Sequence, residues 1–130
     1  MTGAAGGRRA DVLVIDDDEI VRCAIADALE EAGFSVEELP SPIGATRLII
    51  QREVKVVVLD VHLPAMRGDN LARLFRKNEK LSDVKVILIS GADVAELRSL
   101  AESAQVDDMV SKAEGFDAVV RKVRRLMPRA

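Results

Sequence analysis

Residues 54–60 read Val-Lys-Val-Val-Val-Leu-Asp: five apolar positions interrupted only by Lys55 and ended by a carboxylate. A short continuous apolar run of this kind fits a strand buried on both faces, as in a parallel sheet. Asp60 at its end is therefore hard to explain as a casual surface charge. Similar runs stand on either side. Residues 12–15, VLVI, lead into Asp16, Asp17 and Asp18. Residues 84–89, VKVILI, lead into Ser90, and a short run over 108–111 leads into Lys112. Phe34-Ser35-Val36-Glu37 alternates, which predicts a second, less buried strand.

Helical spacing fills the intervals. Val21, Ala24, Ile25, Ala28 and Ala32 share one helix face, and Gly33 suits the stop. Ser41 before Pro42 predicts a helix start, with a hydroxyl cap followed by a residue that needs no N–H. Leu71, Leu74 and Phe75 mark a third helix. Asp93 with Glu96 resembles a capping box opening a fourth, with Leu97, Leu100, Ala101 and Ala104 inward. Phe116, Val119, Val120, Val123 and Met127 stripe the last. Five strands alternating with five helices predict an α/β fold, a doubly wound parallel sheet covered on both faces by right-handed crossovers. The expected layout is a flexible tail over 1–10, one domain over 11–127 and a short tail over 128–130, with nothing left for an effector domain.

Composition narrows the classes. With 48% hydrophobic and 32% charged residues, the chain is globular and not disordered. Three Phe, no Tyr and no Trp make the core aliphatic. A formal net charge of -3 gives no electrostatic case for nucleic acid or an anionic membrane. No apolar run approaches the ~20 residues of a membrane span, and MTGAAGGRRA lacks the apolar stretch of a signal peptide. The expectation is a cytoplasmic protein. Cys23 is alone, so no internal disulfide forms, and it reads as a buried inert thiol.

In a doubly wound sheet, ligands bind beyond the carboxyl ends of the strands. There the chain delivers Asp16, Asp17, Asp60, Ser90 and Lys112. Crowded carboxylates repel unless a cation neutralises them, and magnesium does so while accepting a phosphate oxygen. A carboxylate beside such an ion can attack a phosphoryl group and hold it as an acyl phosphate. The hydroxyl and ammonium then serve its oxygens. Each residue has a plainer reading: acids at a helix N-terminus for Asp16 to Asp18, a turn cap for Ser90, a solvated lysine for Lys112. Asp18 in particular reads as a helix-start residue. The joint occurrence at successive strand ends favours phosphoryl transfer to aspartate.

These segments resemble the receiver domain of bacterial response regulators, from about Asp11 to Met127. VLVIDDDEIVR is similar to that family's first strand and acidic pair, and VVVLDVHLPAMRGDN to its phosphoacceptor segment, with Asp60, Pro64 and Gly68 in place. VKVILISGAD carries the Ser or Thr position at Ser90, and DDMVSKAEG the lysine at Lys112. The resemblance implies a flavodoxin-like sheet of order 2-1-3-4-5. It implies that Asp17 and Asp60 bind magnesium, that Asp16 holds a metal-bound water, and that the backbone carbonyl of His62 is a further ligand. Asp60 would accept a phosphoryl group from a phosphohistidine of a histidine kinase or histidine phosphotransfer protein. Ser90 and Lys112 would bind it, and the surface of the fourth helix, fifth strand and fifth helix would change for an unknown downstream protein.

Two positions depart from the family. Met109 stands where a Tyr or Phe is usual, so the switch pair is Ser90 with a flexible methionine and no ring. Ala113 follows Lys112 where proline is usual, so a trans peptide is expected. These departures support a runner-up reading, a degenerate receiver acting as a phosphorylation-independent interaction module. A hydrolase of the dehalogenase type wants an acid two residues after the nucleophile, where this chain has His62. A nucleotide-binding domain wants a glycine-rich loop where DDDEI stands. The lone His62 reads as a partly exposed side chain. Arg121, Lys122, Arg124, Arg125 and Arg129 read as a solvated basic face, with docking of an acidic partner as the alternative.

Overall fold

The computed structural model describes residues 9–128. Five strands, β1 (Val12–Ile15), β2 (Val36–Leu39), β3 (Val56–Asp60), β4 (Lys85–Ser90) and β5 (Asp108–Ser111), form one parallel sheet of order β2-β1-β3-β4-β5. Five helices alternate with them: α1 (Glu19–Glu31), α2 (Ala45–Arg52), α3 (Gly68–Lys77), α4 (Val94–Ala104) and α5 (Phe116–Leu126). Single 3-10 turns over Glu79–Leu81 and Lys112–Glu114 precede β4 and α5.

Strand alternation divides the core into two layers. Leu13, Ile15, Val57, Leu59, Val86 and Leu88 face α2, α3 and α4, where Ile49, Phe75 and Leu97 meet them. Val12, Val14, Val56, Val58, Ile87, Ile89 and Val110 face α1 and α5, against Ile25, Leu29, Val119 and Val123. Every residue of β1 and β3 is buried, which accounts for their unbroken apolar sequence. The edge strand β2 is only half-buried, as its alternation requires.

Several local expectations change. Ser41 does not cap α2. Its hydroxyl accepts from the Ile43 amide at 3.3 Å in a turn, and the helix begins after Gly44, which adopts a left-handed φ of 82°. The alternating segment pairs in the sheet over Val36–Leu39, two residues later than Phe34 suggested. Leu74 points outward, while Leu71 and Phe75 are buried. In α1, Ala26 and Leu29 complete the buried face. Ala10 is not free tail: it is buried and donates its amide to Arg52 O at 2.9 Å. Residues 1–8 of the expected tail, and Arg129 with Ala130, lie outside the described residues. Cys23 is half-buried rather than enclosed, its thiol 3.6 Å from Glu38 Oε1. Among the described residues no helix is long and apolar enough to cross a membrane.

Candidate functional site

The sheet register builds the site. Ile15 of β1 pairs with Leu59 of β3, so the next residues, Asp16 and Asp60, leave neighbouring strands side by side. Asp60 pairs with Ile89, setting Ser90 one step further along β4. Ser90 pairs with Ser111, and Lys112 follows immediately. Carboxylate oxygens of Asp16, Asp17 and Asp60 all lie within 4.8 Å of one another. Asp16 and Asp60 are buried, and Asp17 is exposed at the mouth.

Lys112 Nζ reaches this group, 3.4 Å from Asp60 Oδ2 and 3.4 Å from Asp16 Oδ2. The contact to Asp60 has hydrogen-bond geometry. The contact to Asp16 is close enough for attraction but not aligned, and Asp16 Oδ2 is a buried oxygen without a hydrogen-bond partner. Asp16 Oδ1 is satisfied by the Asp18 amide at 2.9 Å, and Asp60 Oδ1 by the His62 amide at 3.2 Å.

The electrostatics are those of carboxylates crowded around one ammonium. Burial pushes the Asp16 carboxyl up, and Asp60 adds to the rise; the Asp18 amide and Lys112 offset it in part. Burial works against the charge on Lys112, but Asp60 and Asp16 outweigh it and hold the ammonium above its ordinary value. A buried carboxylate oxygen with no hydrogen bond, beside two more carboxylates, suits a hard divalent cation with oxygen ligands.

Ser90 is fully buried, and its hydroxyl accepts from the Ala92 amide at 3.0 Å, leaving the hydroxyl proton free to donate. Met109 is half-buried against the layer beneath α4, and its carbonyl accepts from Lys122 Nζ at 2.6 Å. The His62 side chain is exposed. Asp18 caps α1, accepting from the Val21 amide at 3.2 Å. No peptide bond among the described residues is cis, so Lys112–Ala113 is trans. The basic face of α5 is less free than its sequence suggests. Lys122 and Arg125 pair with Asp108, and Arg124 lies over the Phe34 ring at 5.9 Å.

Sequence reasoning missed two groups. Asp69 is buried between Arg67 and Arg73, both at 3.1 Å. A charged residue in the first turn of an amphipathic helix gives no hint of burial. The second is the pair Ser111 and Glu114, bonded across the turn that carries Lys112. The signal that finds it is the capping signature Ser-x-x-Glu over residues 111–114, which frames the lysine.

The profile of the family described as "Response regulator receiver domain" matches residues 12–124. The chain is 25% identical over 118 residues to the DNA-binding dual master transcriptional regulator RpaA of Synechocystis, covering 91% of this chain and 49% of that protein. It thus spans about half the length of such curated relatives. Among solved structures, the receiver domain of the Francisella response regulator 1452 superposes with a TM-score of 0.80 at 27% identity, covering 91% of this chain and 96% of that one. Chemotaxis protein CheY4 of Vibrio cholerae gives a TM-score of 0.81 at 18% identity, covering 92% and 99%, a likeness of fold.

Proposed function

Because the chain belongs to the response regulator receiver domain family of two-component signalling, we propose that Asp60 is the residue that takes the phosphoryl group. One observation carries the choice: the Asp60 carboxylate ends the central strand β3 with one oxygen facing Lys112 Nζ at 3.4 Å, beside Asp16 and Asp17. In the transfer, an Asp60 carboxylate oxygen attacks the phosphorus of a phosphohistidine. The P–N bond breaks as the O–P bond forms, and its electron pair returns to the ring nitrogen. The ring, already protonated at its other nitrogen, leaves as neutral imidazole. The product is an acyl phosphate, which water returns to carboxylate and inorganic phosphate.

Lys112 and the Ser90 hydroxyl bind the phosphoryl oxygens, spreading their charge as the bond order changes. Asp17 and Asp60 would hold magnesium directly, Asp16 a metal-bound water, and the His62 carbonyl would be a further ligand. When bound, the ion neutralises the crowded carboxylates and the incoming phosphoryl oxygens. Before any transfer, Lys112 already offsets part of that charge.

In this reading the domain is a switch, not a metabolic enzyme, and assists only its own phosphorylation and dephosphorylation. Its donor is a histidine kinase or histidine phosphotransfer protein, and its reader a downstream protein at the surface of α4, β5 and α5. The reading puts it in the cytoplasm, and the charge of -3 favours no nucleic-acid partner for these 130 residues. No observation favours the degenerate alternative over this, since neither Met109 nor Ala113 supplies a site oxygen. Intact-mass analysis after incubation with acetyl phosphate and magnesium tests the reading. The wild type gains one phosphoryl group and Asp60→Asn gains none; a modified Asp60→Asn protein overturns the assignment.

A further inference from the structure

The geometry points to Ser111 and Glu114 as positioning residues that set Lys112 against Asp60 through a reciprocal capping box. This deepens the role proposed for Lys112 and rests on that reading for its chemistry. Strand β5 ends at Ser111, and the chain enters the 3-10 turn Lys112–Glu114 with no intervening residue. Ser111 Oγ accepts from the Ala113 amide at 3.3 Å, and Glu114 Oε2 accepts from the Ser111 amide at 2.8 Å. The two bonds close a ring around Lys112.

The box also has a fixed base. Ser111 is buried and in register with Ser90. The position of the Lys112 Cα is thereby tied to the strand beside Asp60. A lysine side chain has a flexible four-carbon stem, so holding its backbone origin narrows the positions open to an ammonium that lies 3.4 Å from two carboxylates. Ala113 contributes no stiffness of its own, and its peptide bond is trans. Side-chain bonds on either side of Lys112 therefore add to the backbone bond that its carbonyl accepts from the Gly115 amide at 3.4 Å. A purely structural role, satisfying an amide on the edge strand, would affect stability and leave transfer unchanged. The two differ in what they predict for Lys112.

The test uses the 130-residue chain with Ser111→Ala, Glu114→Ala and Glu114→Gln. Glu114 is exposed, so its variants leave the core intact. Both alanine variants should slow phosphorylation by acetyl phosphate about tenfold, less than the ~100-fold that a 1 Å misplacement can cost. Magnesium affinity should not fall, since neither side chain is a candidate ligand and an ammonium withdrawn from Asp60 leaves the carboxylates more attractive to the ion. Glu114→Gln keeps an acceptor oxygen for the Ser111 amide and should restore most of the rate. Wild-type rates in both alanine variants, or a glutamine variant as slow as alanine, would overturn the proposal. Crystal structures of unphosphorylated Glu114→Ala give an independent reading: an ammonium withdrawn from Asp60 supports it, and an unmoved one overturns it. Should the wild type itself take no phosphoryl group, the Asp60 assignment fails, and these structures still decide the positioning.

Discussion

At Gly68 the backbone passes so close to the end of β3 that no side chain fits. A Cβ there would lie 2.8 Å from the Asp60 carbonyl carbon and 3.1 Å from Val61 Cα. The Gly68 amide uses the space, donating to Val61 O at 2.8 Å. Gly68→Ala should therefore destabilise the protein by about 1–3 kcal/mol, the range for overpacking a rigid site. It should also weaken magnesium binding, because the strain falls on the backbone of Asp60. Urea unfolding and a magnesium titration measure both, and an unchanged midpoint would mean that the chain can part there freely. Asp16 makes a second case, since its Oδ2 is buried with no hydrogen bond. Asp16→Asn removes a buried charge that the metal-free protein compensates poorly, so it should raise the metal-free unfolding midpoint and shrink the gain from added magnesium. A lower metal-free midpoint would show that Lys112 already satisfies Asp16. Asp16 and Asp60 were legible in the sequence because each ends an apolar run, and Lys112 because it follows the short segment over 108–111 that reads as the last strand. Gly68 was visible only through resemblance, and Asp69 not at all, because close approach and burial are properties of packing.

Arg76 joins three elements that the sequence shows only separately. From the last turn of α3 it donates to Gln105 O at 3.1 Å, to Val84 O at 2.9 Å and to Asp107 Oδ2 at 2.7 Å. The same Asp107 oxygen accepts from the Val86 amide at 2.8 Å at the start of β4. One planar guanidinium thus ties α3 to the entrances of β4 and β5. Arg76→Ala should cost about 2 kcal/mol, within the range for hydrogen bonds to a charged group. Arg76→Lys should recover less than half, since an ammonium cannot reproduce the fork. Thermal unfolding of the pair decides it, and equal stability of Lys and Arg variants would remove geometry from the explanation. Strands β1, β3 and β4 and four of the helix faces were legible because burial on both sides or on one stripe leaves a periodic record. The start of α2 was not, because Ser41-Pro42 suits a turn as well as a cap and Gly44 decides between them through its left-handed φ. The Asp93 cap was legible because it is local: its carboxylate accepts from the Glu96 amide at 2.9 Å.

The order of the sheet was legible only through resemblance, since strand order is a property of the assembled molecule. That order has a consequence for signalling. Ser90 ends β4 and Lys112 follows β5, so both groups proposed to contact the phosphoryl oxygens lie next to α4 or α5. Strand β5 is bonded to α5 beyond its packing: Lys122 Nζ holds Met109 O at 2.6 Å and Asp108 Oδ1 at 3.2 Å, and Arg125 holds Asp108 as well. A displacement of Lys112 would thereby be shared by β5 and α5, with Met109, which packs against the layer beneath α4, adjusting to it. Methionine repacks through many rotamers rather than flipping between two ring positions. The phosphorylated and free proteins should then be two populations of one ensemble, shifted by phosphorylation. A shift from 1:99 to 99:1 would need about 5.5 kcal/mol of differential stabilisation, and a methionine-based switch should deliver less. Hydrogen exchange with and without beryllofluoride, a stable phosphoryl mimic, reads this out. Protection should change between Ala92 and Met127, with intermediate rather than complete conversion. Changes confined to the loops after Asp17 and Asp60 would mean that the site is occupied without being felt at α4, β5 and α5.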